Sequence, residues 1–132
     1  MKFEEFKNLD VFKQASQVST IVFELSATKP TKQASEIMQQ IKKLAVGLLS
    51  NVTEACGKDD AEDALRFLNL SKLKLNELEE MLERAHKAGF LSYFKLKRCS
   101  KQIKKMHILL VSYIAYHQRL MRLEEPRLKY AG

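Results

Sequence analysis

Apolar residues recur every three or four positions along four long segments of this 132-residue chain. That spacing puts them on one face of an α-helix, because a helix turns once every ~3.6 residues. The third segment keeps the alternation most strictly, and its apolar face is expected to comprise Ala61, Ala64, Leu68, Ser71, Leu75, Leu78, Leu82 and Ala85. The pattern therefore predicts four amphipathic helices whose apolar faces share one core.

Residues that favour helix ends separate the four segments. Pro30 disfavours helical angles in the residue before it, and Gly57 and Gly89 are expected to supply the left-handed conformation that ends many helices. Asp59 and Glu62 have the spacing of an N-terminal capping box. The expected helices run over about Asn8–Ala27, from Thr31 or Ser35 to Cys56, from Asp59 to Gly89, and from the N-cap Ser92 to Pro126.

Four such helices joined by short loops predict an all-α fold, an antiparallel up-down-up-down four-helix bundle. Period-two alternation, the mark of a half-buried strand, is absent from the sequence. A chain of this length forms a single domain. The bundle is expected to occupy residues 1–126, with residues 127–132 forming a short C-terminal tail.

Composition predicts a cytoplasmic protein that does not enter a membrane. Apolar runs stay far below the ~18 residues that a membrane span needs, and acids at Glu4 and Glu5 interrupt the region where a signal peptide has its apolar core. Cys56 and Cys99 form no CxxC pair, and both fall on predicted apolar faces. They are expected to pack as small apolar side chains.

The positive charge of the chain is concentrated at its C-terminal end. Residues 90–132 contain ten Lys and Arg against two Glu, a net charge of +8, whereas residues 1–89 carry a net charge of −1. Because the basic stretch is also patterned as a helix, the charge is expected on one rigid face. A cationic surface on a neutral body is typical of a protein that binds a polyanion.

On a helical projection of the fourth segment, six basic residues lie away from the apolar stripe, within a sector of about 100°. They are Lys97, Lys101, Lys104, Lys105, Arg119 and Arg122, with Lys95 and Arg98 flanking them. No acid occurs from Lys95 to Leu123, whereas an ordinary solvated face mixes both signs. Phosphate binding is the favoured interpretation; a solvated outer face and an anionic membrane surface are the alternatives.

A second, smaller basic patch is formed by Lys42 and Lys43 in the second segment. Two exposed lysines with no function explain this pair equally well. Arg66, Lys72 and Lys74 in the third segment could extend the patch, although acids lie among them.

Enzymatic and metal sites find little support in the sequence. His86, His107 and His117 show no i, i+4 pairing and have no Cys or carboxylate at metal-ligand spacing, and no nucleotide-binding or hydrolase motif occurs. The protein is therefore expected to be no enzyme and to use no cofactor or metal. Two weaker alternatives are a phosphotransfer histidine at His86 and a catalytic carboxylate pair. The polar residues beside the apolar stripes are instead expected to bond between helices or subunits: Asn51, Glu54, Asn76 and Glu77.

Several short stretches, in their order and spacing, resemble the bacterial four-helix-bundle family of 23S rRNA intervening-sequence proteins. The resemblance spans about residues 6–92. Its stretches are 6–12 with Ala15, 40–46, 50–55, 67–69, 75–78 and 85–91. The chain departs from the family pattern in having Ala55 where a Gly is usual, and in its basic final helix.

That basic final helix makes the chain similar to the branch of accessory variability determinants of diversity-generating retroelements. The resemblance implies a ring-like homopentamer that partners a reverse transcriptase and its template RNA. An intervening-sequence protein without a reverse transcriptase partner is the alternative. In both cases the expected protein is a non-enzymatic, basic accessory protein that binds RNA, with DNA as a second polyanion.

Self-association is also expected from apolar residues that lie off or at the edge of the core stripes. These are Phe12, Phe23, Met38, Phe67, Leu70, Leu73 and Ile108. On a monomer they would form a large exposed apolar patch.

Few aromatic residues are expected on the basic face, so contacts to the phosphate backbone are predicted in preference to base stacking.

Overall fold

The computed structural model describes Glu5 and residues 9–131, with side chains as far as Leu123. This part of the chain contains four long helices and no strand. The predicted all-α four-helix bundle is therefore confirmed. The helices are α1 Asp10–Phe23, α2 Lys32–Gly57, α3 Ala61–Lys87 and α4 Tyr93–Ala131.

Each helix packs against its neighbours in the chain, and α1 packs against α4, which closes the bundle. As a result α2 lies diagonally opposite α4 rather than beside it. Side chains on the outer face of α2 and those on the outer face of α4 consequently belong to different sides of the molecule.

The predicted apolar stripes form the core. All eight stripe residues of α3 are buried, and so are Cys99, Ile103, Met106 and Leu110 on α4. Ser71 is the one polar residue among the fully buried side chains of the described part. Its hydroxyl donates a hydrogen bond to the carbonyl of Phe67 at 2.8 Å, so a polar residue fits the apolar stripe without an unsatisfied group.

Two predicted helix signals are confirmed between α3 and α4. Gly89 has φ 81°, and the amides of Gly89 and Phe90 donate to the carbonyls of His86 and Ala85, an arrangement that ends a helix. At the start of α4, the Ser92 hydroxyl accepts a hydrogen bond from the Lys95 amide at 3.2 Å. This turn fixes where the basic helix begins.

Other predicted features of the helix ends are wrong. Helix α2 ends at Gly57, one residue beyond the expected Cys56, but Gly57 does not adopt the expected left-handed φ. The N-cap of α3 is Asp60 and not Asp59, and its side chain makes no capping hydrogen bond. The helix of the basic segment also continues through Pro126 to Ala131, where the sequence predicts its end and a tail. Proline removes one backbone hydrogen bond, a loss that a long helix can tolerate. Residues 1–4 and 6–8 of the predicted bundle, and Gly132 of the tail, lie outside the described residues.

Candidate nucleic-acid interface

The basic residues of α4 form two groups on its outer face. The first, the proximal cluster, comprises Lys97, Arg98, Lys101, Lys104 and Lys105, and all five are exposed. The second, the distal pair, comprises the exposed residues Arg119 and Arg122. Residues 106–118 between them contain no Lys, Arg, Asp or Glu, and span about 20 Å at ~1.5 Å per helical residue. The cationic face of α4 is therefore divided along the helix axis into two groups.

Most of the proximal cluster is free to bind a ligand. Within the described part of the chain, Lys101, Lys104 and Lys105 make no hydrogen bond or ion pair. Arg98 approaches Glu24 at 4.0 Å, but both side chains are exposed, so this pair contributes little. Three cations thus have no competing partner.

Lys95 has a different role from the other basic residues of α4. Its ammonium group donates hydrogen bonds to the Ser26 carbonyl at 3.1 Å and to the Ser26 hydroxyl at 3.4 Å. It therefore ties the start of α4 to the chain that follows α1. This contact leaves Lys95 as a positioning residue for the proximal cluster.

Exposed aromatic and apolar residues accompany the cations, and the expectation of few aromatics is wrong. Tyr93, Phe94 and Tyr116 are between 50% and 73% exposed, and the Lys97 ammonium lies 5.4 Å from the centre of the Tyr93 ring. Ile108 and Val111 are exposed on the uncharged stretch between the two basic groups. Rings beside cations are typical of surfaces on which single-stranded bases stack.

The Lys42–Lys43 patch does not join this surface, because α2 lies diagonally opposite α4. Lys42 is half-buried with its ammonium 5.9 Å from the centre of the Phe23 ring. Lys43 lines a groove of about 390 Å³ between α2 and α3, together with Lys74, Arg84 and the acids Glu77 and Glu80. Carboxylates in this groove weaken its attraction for phosphate.

The polar residues beside the stripes make no bond between helices among the described residues. Glu54 is exposed and pairs with Lys58 one turn along α2, at 3.4 Å. Asn76 and Glu77 are exposed on α3. The expected bonds between helices are therefore not observed, and bonds between subunits stay a prediction.

A feature that the sequence did not reveal is a cavity of about 490 Å³ at one end of the bundle. All four helices or their flanking residues contribute to it. The lining consists of Leu9, Ala55, Cys56, Lys58, Leu68, Ser112, Tyr113, Tyr116, His117 and Arg119. Arg119 therefore belongs both to this cavity and to the distal pair.

Two of the three histidines, His86 and His117, lie within hydrogen-bond distance of backbone carbonyls. His86 Nδ1 lies 2.8 Å from the Leu91 carbonyl, and His117 Nδ1 lies 2.8 Å from the Tyr113 carbonyl. A carbonyl only accepts, so each Nδ1 carries the hydrogen and Nε2 of the neutral ring is an acceptor. No group of three or more potential metal ligands occurs among the described residues.

Burial raises the pKa of both thiols, Cys56 and Cys99, to about 11. A raised thiol pKa keeps the neutral form at physiological pH, and the thiolate is the reactive form. Cys99 is buried and Cys56 is half-buried, which agrees with the expected packing role.

For the described residues, no helix combines the length and hydropathy of a membrane span.

The chain is thus a closed four-helix bundle whose α4 displays five exposed cations within residues 97–105 on its outer face. The sequence model described as 23S rRNA-intervening sequence protein matches residues 7–112, so the chain belongs to that family. The match covers the proximal cluster and ends before the distal pair. No curated protein matches the chain.

Proposed function

We propose that this protein is a non-enzymatic RNA-binding protein of the intervening-sequence type, which holds phosphates with the proximal cluster. The observation that carries the proposal is the placement of five exposed cations within residues 97–105 of one regular helix. Three of them have no partner in the described chain, and no acid follows until after Leu123. A phosphate backbone supplies the missing counter-charge. DNA, which has the same backbone charge, is a second expected ligand.

A second candidate function is that of an accessory variability determinant, partnering a retroelement reverse transcriptase and its template RNA. The basic character of α4 favours it, whereas the family match agrees better with a protein that has no reverse transcriptase partner. The two functions differ in genomic setting. A reverse transcriptase gene and a pair of near-identical repeats beside this gene would identify the retroelement role.

Binding is expected to depend steeply on salt, because cations on a regular helix contact the phosphate backbone and release counterions. With about six phosphates neutralised, RNA affinity should fall on the order of a thousandfold between about 50 and about 200 mM salt. Fluorescence anisotropy with one labelled RNA, titrated at four salt concentrations, measures this slope. A slope close to zero contradicts the proposal.

We further propose that the protein is a homo-oligomer, a pentamer by its resemblance. Leu70, Leu73 and Ile108 are 40%, 57% and 70% exposed, and Phe23 is 49% exposed, so each subunit presents apolar area that association would bury. Met38 does not contribute, because it lies in the core at 6% exposure. Phe12 and Phe67 are half-buried and contribute less.

Light scattering in about 0.5 M salt without nucleic acid is expected to give a multiple of the 15.3 kDa subunit mass. High salt screens the repulsion between subunits that carry +7 each, so apolar contact determines the result. A homogeneous monomer under these conditions contradicts both the ring and the retroelement role that implies it.

A further inference from the structure

The cavity at the end of the bundle has the size and the lining of a small-ligand site. Its volume of about 490 Å³ lies within the ~300–1,000 Å³ typical of such sites. Leu9, Ala55 and Leu68 bring apolar surface from three separate parts of the chain, and no Asp or Glu is among its described lining residues. The cavity therefore suits a ligand with an apolar, flat part and a negative charge.

Aromatic rings from α4 provide one wall. Tyr113 and His117 are half-buried one turn apart, and Tyr116 is half exposed beside them. The Tyr116 and His117 rings meet edge to face, with centroids 5.2 Å apart and planes at 90°. Because His117 Nδ1–H is used by the Tyr113 carbonyl, the Nε2 atom of the neutral ring can accept a hydrogen bond from a ligand.

Cationic and hydroxyl groups complete the lining. Arg119 and Ser112 are exposed on α4, on the same side of the helix as Tyr116. Lys58 extends from the end of α2, and its ammonium contacts Glu54 at 3.4 Å and lies 5.2 Å from the centre of the Phe67 ring. Arg119 has no ion pair in the described chain, so its guanidinium is the group available for a phosphate.

We propose that this cavity binds one unpaired nucleotide of the RNA, with the base against the rings and the phosphate on Arg119. The proposal rests on the proposed function, because the RNA must already be held on α4. Arg119 connects the two sites, being part of both the cavity and the outer basic face. A base can enter the cavity only when it is not paired, so the protein discriminates single-stranded or bulged RNA from duplex.

The test compares a single-stranded RNA with a blunt duplex of the same length, using the full chain. Tyr116→Ala is expected to weaken single-strand binding about tenfold and to leave duplex binding unchanged, since stacking on one ring is worth ~1–3 kcal/mol per base. Tyr116→Phe keeps the ring and should bind like the unaltered protein. Val46→Ala, which removes exposed apolar area from α2 on the side of the bundle away from α4, is the control and should change neither affinity.

Adenosine 5′-monophosphate provides an independent readout that does not need the proximal cluster. Its addition is expected to shift the ring resonances of Tyr113, Tyr116 and His117 in a saturable way. Unmoved ring resonances, or an equal loss of single-strand and duplex affinity in Tyr116→Ala, would overturn the nucleotide site and leave the proposed function standing. Absence of RNA binding by the unaltered protein would overturn the proposed function, while the mononucleotide titration still reports on the cavity.

Discussion

Replacing Lys97, Lys101, Lys104 and Lys105 together by Gln is expected to lower RNA affinity at least about a hundredfold at ~100 mM salt. Each phosphate contact that is lost removes ~0.7–0.9 from the slope of log affinity against log salt concentration. Removing four contacts should therefore reduce the slope by about three. The side chains are exposed, and Gln keeps much of their length, so the free energy of unfolding should change little.

A matched control separates the position of the charges from their number. Lys13, Lys29, Lys32 and Lys72 are also exposed, and they lie on or beside the other three helices. Replacing these four by Gln removes the same total charge and should leave affinity within a few-fold. Equal losses in the two variants would mean that net charge alone attracts RNA. Full binding by the first variant would show that the RNA site lies outside the proximal cluster, and Lys42–Lys43 would be the next candidate.

Helical periodicity was sufficient to predict most of the core, because the position of one buried residue fixes the angles of all others on a regular helix. Met38 shows the limit of this argument. Helix α2 packs against both α1 and α3, so it buries a wider sector than a single stripe, and Met38 falls within it. Helix ends were less predictable: α2 ends at Gly57, but without the left-handed conformation that was expected there, and α4 continues through Pro126.

The candidate site was predicted in part. Periodicity placed the proximal cluster correctly on the outer face, since exposure on a helix follows from the same angles. It did not reveal that Tyr93, Phe94 and Tyr116 share that exposure, because apolar residues of the basic segment were assigned to the core or left out. The cavity was beyond sequence reasoning, because it forms where residues as distant as Leu9 and Arg119 meet.

Leu75→Ala is expected to lower the free energy of unfolding by roughly 2–5 kcal/mol. Leu75 is fully buried in the middle of α3, within the core to which all four helices contribute. Truncation removes apolar contacts and leaves a cavity that a closed bundle cannot fully collapse. Since a domain is stable by only ~5–15 kcal/mol, this change is a large share of the total.

Leu73→Ala is the matched control, because it makes the same chemical change two residues away on a side chain that is 57% exposed. In a monomer, this substitution should change the free energy of unfolding by no more than about 0.5 kcal/mol. Urea unfolding measures the free energy of unfolding of both variants. Repeating it at two protein concentrations shows how much association contributes to that free energy. If Leu73 lies between subunits, the stability lost in Leu73→Ala should decrease as the protein is diluted. The stability lost in Leu75→Ala should not depend on dilution. A Leu75→Ala variant as stable as the unaltered chain would contradict the bundle core described above.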